Sequence, residues 1–255
     1  MMISKHQLKV LLRSRSRQFL SDREDSAFRP GLVRSLAWKG RTVYYRPGSS
    51  DTEVIYKILL KGGRKADYWA PIAAPPKVIW DIGANIGSAS LYFNSRFPQA
   101  HIHAFEPIPD NFLLAERNLA GLPVSLHNVA LGPEDAEMSI SASDCPLNFG
   151  GYSFHYSGAV DAPVSQVSMV RPATLLARGL PLPDLIKIDT EGAEWGILTS
   201  FPDGAISRVE WIVGELHSVR SFELLEYLSR WFLIETRKSM KSPLFMFMAK
   251  NRSIR

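Results

Sequence analysis

The chain has one cysteine among its 255 residues. A single thiol, Cys145, excludes an internal disulfide framework and a four-cysteine zinc site. All uninterrupted apolar stretches are far shorter than a membrane span, and the first twenty residues lack the sustained apolar block of a secretory signal. These absences predict a cytoplasmic protein held together by its hydrophobic core, for which a hydrophobic content of 45% is ample.

Charge is only mildly unbalanced, with a formal net charge of +5 and a sequence pI of about 9.3. The basic residues are concentrated near the N-terminus, where apolar residues interleave with them. They are Lys9, Arg13, Arg15, Arg17, Arg23, Arg29 and Arg34. We expect a solvated helix packed loosely on the domain, and weak contact with an anionic membrane surface or with nucleic acid is the alternative.

The length fits one α/β domain with an appendage. From residue 77 onward, apolar runs of strand length alternate with helical patterns. The predicted strands are 78–81, 102–106, 124–130, 185–189 and about 209–216, followed by a closing antiparallel pair at 232–236 and 244–249. The pattern predicts an N-terminal helical and strand extension (1–75) and a core (76–255) with an insert at about 132–172. The core is expected to be a mostly parallel seven-stranded sheet with helices on both faces and a terminal antiparallel hairpin.

The most informative segment is the glycine turn from Asp81 to Gly87, which directly follows the apolar run Val78-Ile79-Trp80. A strand, a tight glycine turn and a helix opening at Ser88 are typical of a nucleoside-binding α/β site. The glycines are spaced Gly-x-x-x-Gly, which is not the G-x-G-x-x-G spacing of a dinucleotide site. Asp81 would repel a pyrophosphate, but it suits the cationic sulfonium and ammonium groups of S-adenosylmethionine.

The second predicted strand ends in Glu106, whose carboxylate can accept hydrogen bonds from both ribose hydroxyls. Ligands of such sheets bind at the carboxyl ends of the strands. Acids and a histidine stand at these ends, so we expect them to converge on one cleft. They are Asp81, Glu106, Asp189, Glu215 and His217.

Methyl transfer from a sulfonium to a hydroxyl requires removal of the hydroxyl proton. His217 is our first candidate for the base and Asp189 the second, with Glu191 beside them. For Glu191 and Glu194, stabilisation of a helix N-terminus is the alternative role. We expect no metal, because the spacing is no recognised metal signature; Asp189, Glu215 and His217 would be the ligands if Mg²⁺ bound, together with Glu191.

Five segments in this order resemble the FkbM family of S-adenosylmethionine-dependent methyltransferases, over roughly residues 43–249. The segments are Tyr45 to Asp51, Asp81 to Gly87, Phe105 to Pro107, Asn128 to Gly132 and Ile186 to Glu194. The resemblance implies a Rossmann-like class I methyltransferase fold. It also implies O-methylation of a hydroxyl on a sugar, a glycolipid or a polyketide-like natural product.

The resemblance assigns the methionine part of the cofactor to Asp81, Gly83, Asn85 and Gly87. It assigns the ribose to Glu106 and the adenine to Asn128 and Val129, and Asp189 is expected to border the cofactor as well. Arg46, Ser50 and Asp51 are expected to fold over the cofactor or the substrate, with a turn and a helix cap as the alternative.

Substrate choice is expected to lie in the insert, where glycines alternate with aromatic residues such as Phe149 and Tyr152. Aromatic faces pack against sugar rings, and Glu215 is expected to contact the acceptor from the core; an ordinary surface loop is the alternative for the insert. A nucleic-acid methyltransferase is a competing hypothesis. It is disfavoured because an acidic turn, Asp189-Thr190-Glu191-Gly192, stands where amino methyltransferases carry an Asn/Asp-Pro-Pro-aromatic motif. A non-catalytic cofactor-binding scaffold is the other alternative.

Overall fold

The computed structural model describes residues 3–25, 27, 29–141, 164–217, 220–238 and 245–254. Phe149 and Tyr152, two of the residues expected to contact the acceptor, lie outside the described residues. Within the described part, none of the helices has the length and apolar character needed to cross a membrane.

The N-terminal extension packs directly on the core. It contains α1 (Lys5–Ser14), α2 (Arg17–Glu24), β1 (Arg34–Trp38), β2 (Arg41–Tyr45) and α3 (Asp51–Ile55), which continues as a π-helical turn at Tyr56–Leu60. α1 begins with a capping box, in which Ser4 Oγ accepts from the Gln7 N–H and Gln7 Oε1 accepts from the Ser4 N–H. Val10 and Phe19 are fully buried in the same hydrophobic cluster as Ile79 of the core. The first two helices are therefore not the loosely packed segment expected from the sequence.

Two of the N-terminal arginines, Arg13 and Arg23, make contacts within the protein. The guanidinium group of Arg13 lies over the ring of Tyr56 and donates a hydrogen bond to its hydroxyl. The guanidinium group of Arg23 lies over the same ring and forms an ion pair with Glu53. These contacts hold α1 and α2 against α3.

Strands and helices alternate through the core. In chain order the core contains β3 (Val78–Ile82), α4 (Ser88–Arg96), β4 (His101–Phe105), α5 (Pro109–Leu119), β5 (Val124–His127), β6 (Ala130–Leu131), β7 (Ala136–Ser141), β8 (Val164–Val170), α6 (Pro172–Ala177), β9 (Leu185–Ile188), α7 (Glu194–Thr199), α8 (Asp203–Ile206), β10 (Trp211–Leu216), α9 (Ser221–Ser229), β11 (Phe232–Lys238) and β12 (Phe245–Asn251).

Seven strands form the main sheet in the order β11-β12-β10-β9-β3-β4-β5. Strands β10, β9, β3, β4 and β5 are parallel, whereas β12 is antiparallel to both β10 and β11. The central strands are buried on both faces, as expected for a parallel sheet covered by helices. The mostly parallel seven-stranded sheet and the terminal antiparallel hairpin are confirmed.

The predicted third strand is divided between two sheets. Its first part is β5 of the main sheet, and its second part, β6, pairs with β8. Strand β8 also pairs antiparallel with β7, so β6, β8 and β7 form a small separate sheet in the described part of the insert. The chain leaves the main sheet between His127 and Ala130, at the edge where the predicted adenine residues lie.

Candidate active site

The glycine turn holds three strand ends together. The Gly83 and Ala84 N–H groups both donate to the carbonyl oxygen of Phe105, at 3.1 and 2.9 Å. Gly83 has a φ of +77°, and a Cβ there would lie 1.9 Å from the backbone oxygen of Asp189. Only glycine permits this approach, which brings the ends of β3, β4 and β9 to one point.

The far end of the turn presents polar groups to a cavity. Gly87 has a φ of +83°, and α4 begins directly after it at Ser88. Asn85 Oδ1 and Ser88 Oγ are buried and have no hydrogen-bond partner among the described residues. Both residues line the cavity with Gly83, so the turn and the N-terminus of α4 offer a polar ligand several groups.

Glu106 accepts a hydrogen bond from the backbone of the glycine turn. Its side chain is 4% exposed, and its Oε2 accepts from the Asn85 N–H at 2.7 Å. Its Oε1 accepts from the Ile108 N–H at 3.0 Å and from Asn111 Nδ2 at 3.3 Å. Burial raises the pKa of Glu106 above its ordinary value, and these hydrogen bonds oppose the shift. The carboxylate thus fixes Asn85 at the cavity wall.

Arg46 and Asp51 extend this network into the extension. Arg46 Nε and Nη2 donate to the two carboxylate oxygens of Asp51 at 2.8 and 2.9 Å, and Nη2 also donates to Asn111 Oδ1 at 2.8 Å. Arg46 is 7% exposed and Asp51 is fully buried. The pair therefore connects the turn before α3 to Glu106 through Asn111.

Asp81 is fully buried and is paired with a residue that sequence reasoning missed. Lys187 Nζ lies 3.1 Å from Asp81 Oδ1 and donates to the carbonyl oxygen of Gly83 at 2.6 Å. Lys187 lines the cavity, whereas Asp81 is bound to Ser90 and Lys187 behind it. A lysine between two isoleucines of a strand expected to be buried was the signal for this pairing.

The adenine candidates lie where β5 ends. Asn128 Nδ2 donates to the carbonyl oxygens of Glu106 and Pro107, at 2.9 and 3.0 Å. Val129 is partly buried and packs against the core cluster that contains Phe105. These contacts place Asn128 and Val129 beside the chain that follows β4.

The cavity at the strand ends is small and is covered by the extension. Its volume is about 70 Å³, and its lining joins core residues with Val54, Lys57, Ile58 and Tyr68 of the extension. Sites for cofactor-sized ligands usually occupy about 300–1,000 Å³. The cavity in this conformation is therefore smaller than a nucleoside cofactor requires.

Tyr68 is the second functional candidate that sequence reasoning missed. Its hydroxyl donates to Asp189 Oδ2 at 2.5 Å, and the residue is 4% exposed. Burial and the neighbouring Asp189 carboxylate hold the pKa of Tyr68 well above its ordinary value. The hydroxyl therefore remains a hydrogen-bond donor to Asp189. Little in the sequence indicates this contact, which joins residues 121 positions apart.

Four carboxylates surround the imidazole of His217. Nδ1 lies 3.1 Å from Glu194 Oε1, while Nε2 faces one oxygen each of Asp189, Glu191 and Glu215, at 3.6, 3.7 and 3.9 Å. The predicted catalytic residues thus come together, and Glu215 and His217 share one face as the period of two predicts. Asp189 and Glu215 also line the cavity.

Titration in this cluster is strongly perturbed. Burial opposes the charged form of His217, but the Glu194 hydrogen bond and the nearby carboxylates raise its pKa to about 9. Burial is also the main cause that raises the pKa of Glu191 to about 7 and that of Glu215 above its ordinary value. In this geometry His217 carries a proton at neutral pH, so it accepts another group's proton only after losing its own.

The backbone before α7 brings Glu191 to the cluster. Glu191 and Gly192 have φ values of +54° and +113°, so the helix begins at Glu194 and not at the predicted Glu191 or Gly192. Glu194 Oε1 accepts from the N–H groups of Thr190 and Gly192, both at 3.1 Å. A left-handed glutamate is strained, and such strain is concentrated at functional sites.

Comparisons with known proteins agree with this architecture. The family model described as the methyltransferase FkbM domain matches residues 81–240. The chain is similar to the hexuronic acid methyltransferase AglP of Haloferax volcanii, with 26% identity over 143 residues, which is 55% of this chain and 56% of that protein. It is also similar to the 31-O-demethyl-FK506 methyltransferase FkbM of Streptomyces tacrolimicus, with 28% identity over 178 residues, 57% of this chain and 67% of that protein.

A solved structure, precorrin-6y C5,15-methyltransferase from Geobacter metallireducens, matches with 18% identity and a TM-score of 0.42, covering 69% of this chain and 81% of that one. The chain spans less than two thirds of the length of the first curated relatives that it matches. The class I methyltransferase fold expected from the sequence is confirmed by the seven-stranded sheet with its antiparallel hairpin, and the expected family is confirmed by the family model. The chain belongs to the FkbM family of S-adenosylmethionine-dependent methyltransferases.

Proposed function

We propose that the protein transfers the methyl group of S-adenosylmethionine to a hydroxyl group of a small molecule or glycan, such as a sugar, a glycolipid or a polyketide-like product. Two relatives are named for a hexuronic acid and for an O-demethylated natural product. The second name supports an oxygen acceptor, and both names support a small-molecule or glycan substrate for this chain.

One observation carries the proposal. Asp189 and Glu215 line the same cavity as Gly83, Asn85 and Ser88. A cluster of proton-accepting groups therefore adjoins a polar turn suited to the cofactor. This is the arrangement needed to hold an acceptor hydroxyl beside a reactive methyl group.

The unpaired polar atoms of the turn fit the cofactor. S-adenosylmethionine, when bound, supplies an electrophilic methyl group on a cationic sulfur. Asn85, Ser88 and the N-terminus of α4 would hold its methionine part, because a helix N-terminus favours a carboxylate. Glu106 would lie at the ribose, with Asn128 and Val129 at the adenine.

The remaining residues act on the acceptor. His217 or Asp189 accepts the hydroxyl proton, and Glu191 and Glu215 complete the polar wall. Much of the acceleration comes from holding the acceptor oxygen in line with the methyl–sulfur bond, since a well-oriented reaction gains an effective concentration of up to about 10⁵–10⁸ M.

The proposal is tested with methyl-labelled S-adenosylmethionine and a panel of hexuronic acids, glycolipids, demethylated macrolides and RNA. The expected product is an O-methylated small molecule or glycan. His217→Ala should lower turnover and leave the affinity for S-adenosylhomocysteine nearly unchanged, whereas His101→Ala, an exposed histidine of β4, should change neither. Label transferred only to RNA would contradict the proposal.

A further inference from the structure

Among the described residues, one ring nitrogen of His217, Nδ1, makes a hydrogen bond. The side chain is 6% exposed, and Nδ1 is engaged by Glu194. Nε2 faces Asp189, Glu191 and Glu215, but its nearest carboxylate oxygens lie at 3.6, 3.7 and 3.9 Å. Hydrogen bonds from nitrogen to oxygen are usually about 2.7–3.2 Å long. Nε2 thus faces three carboxylates without a hydrogen bond to any of them.

These separations suit ligands that share one ion. Asp189 Oδ1, Glu215 Oε2 and His217 Nε2 belong to three residues whose ligand atoms all lie within 4.8 Å of one another. Three atoms at such separations lie about 2.5 Å from a common point, so a small inward movement of the side chains brings them to the roughly 2.0–2.1 Å of bonds from oxygen to Mg²⁺. Two of these three ligands are carboxylate oxygens, which suit Mn²⁺ or Mg²⁺.

The prospective ligands are oriented by bonds on their outer sides. Histidines that bind metals usually donate their other ring N–H to a carboxylate, as His217 does to Glu194. The Tyr68 hydroxyl bonds to Asp189 Oδ2, which leaves Oδ1 directed at His217. Both side chains are therefore held with one ligand atom turned inward.

Charge supports the same conclusion. Four carboxylates lie within 4.0 Å of the His217 ring nitrogens. Among the ion pairs of the described residues, His217 is the only basic side chain that contacts these four acids. Lys187, the buried lysine of β9, is bound instead to Asp81 and to the carbonyl oxygen of Gly83.

Contrary to the expectation of no metal from the sequence, we propose that Asp189, Glu215 and His217 bind a divalent cation of the Mn²⁺ or Mg²⁺ class at the edge of the cofactor cavity. Its role rests on the proposed function: the cation binds the acceptor hydroxyl and favours its deprotonation. When His217 and Asp189 hold the cation they no longer accept the hydroxyl proton, which passes instead to Glu191, whose partly exposed carboxylate can release it to solvent. The carbon–oxygen bond then forms as the carbon–sulfur bond breaks, and the sulfur keeps the electron pair as a neutral thioether.

The test uses the full chain, freed of metal with EDTA and titrated with Mn²⁺ while free Mn²⁺ is measured by electron paramagnetic resonance. The expected result is one Mn²⁺ per chain, displaced by excess Mg²⁺. Glu215→Gln and Asp189→Asn should each weaken binding by more than about tenfold, since even outer-sphere partners contribute about 10- to 100-fold. Glu116→Gln, which neutralises an exposed carboxylate of α5, should leave it unchanged.

Circular dichroism of each variant separates the loss of a ligand from unfolding. If both variants unfold, the number of Mn²⁺ ions bound per unmodified chain decides the question. No stoichiometric Mn²⁺, or equal binding by the unmodified chain and folded variants, overturns the cation site. S-adenosylhomocysteine titrated into the same samples separates the two proposals. Its binding without stoichiometric Mn²⁺ overturns the cation site alone, whereas Mn²⁺ binding without it supports the cation site and counts against the proposed function.

Discussion

Asp81 of β3 and Lys187 of β9 stand opposite each other in register, and Lys187 Nζ lies 3.1 Å from the Asp81 carboxylate. Asp81 is fully buried and Lys187 is 2% exposed. Lys187 also holds the carbonyl oxygen of Gly83 at 2.6 Å. The pair therefore fixes the start of the glycine turn, and the charge of Asp81 is balanced within the protein before any cofactor binds.

Removing Lys187 should destabilise the fold strongly. Lys187→Met leaves the Asp81 carboxylate buried without its partner, which costs about 3–5 kcal/mol. Chemical denaturation measures the loss of unfolding free energy. The double variant Asp81→Asn/Lys187→Met should recover part of it, because no buried charge remains. Equal stability of Lys187→Met and the unmodified chain would show that the pair contributes nothing.

Gly83→Ala should disrupt the site through a steric clash. The added Cβ would lie 1.9 Å from the backbone oxygen of Asp189, so the turn or the end of β9 must shift. We expect unfolding free energy to fall by about 2 kcal/mol or more and S-adenosylhomocysteine affinity to fall by more than about tenfold. Calorimetry and denaturation measure the two effects.

Gly121→Ala is the matched control, because Gly121 has a φ of +74° and a Cβ there meets nothing within 4 Å. It should cost only the strain of a left-handed alanine, about 1–2 kcal/mol, and should leave cofactor affinity intact. If both variants lose affinity equally, backbone strain and not the Asp189 contact accounts for the loss.

Glu106→Gln should weaken cofactor binding by about 1–3 kcal/mol. Glutamine offers one acceptor oxygen where Glu106 uses both, so the hydrogen bond to either the Asn85 or the Ile108 N–H is lost. Titration with S-adenosylhomocysteine measures the effect, and Glu116→Gln controls for the change of charge. Native affinity in Glu106→Gln would remove Glu106 from the cofactor site.

His103 should make stability depend on pH. Burial is the main cause that lowers the pKa of His103 from 6.5 to about 4, and His101 and His127 add to the shift. The unfolded chain takes up this proton near pH 6.5, so stability is full above that pH and is lost as pH falls towards 4. The loss is about 1–3 kcal/mol.

Denaturation midpoints between pH 7 and pH 4 test this expectation. His103→Phe should flatten the pH dependence, because the aromatic ring keeps its packing and no longer titrates. His6→Gln, an exposed position of α1, should leave the dependence as it is. An unchanged slope in His103→Phe would assign the pH dependence to other groups.

The sequence predicts those features that depend on local pattern. Apolar runs predict the strands of the main sheet. Because parallel strands end at one edge of a sheet, the sequence also predicts that Asp189, Glu215 and His217 lie close together. Gly83 was predicted within a tight turn, and its contact with Asp189 explains why glycine stands there.

The sequence does not predict contacts between residues that are far apart in the chain. The pairing of Asp81 with Lys187 follows from the alignment of two strands 106 residues apart, which no local periodicity specifies. The contact of Tyr68 with Asp189 joins a turn of the extension to the end of β9 across 121 positions, and no local pattern specifies it either. The late start of α7 depends on the left-handed backbone at Glu191, which is uncommon for a residue other than glycine.

Calorimetric titration with S-adenosylhomocysteine, in the presence of Mg²⁺ and with NAD as the comparison ligand, tests the central claim most directly. We predict micromolar binding of S-adenosylhomocysteine and no binding of NAD, because the chain belongs to a methyltransferase family and its glycine turn lacks the G-x-G-x-x-G spacing for a pyrophosphate. Binding of NAD, or no binding of S-adenosylhomocysteine, would contradict the account.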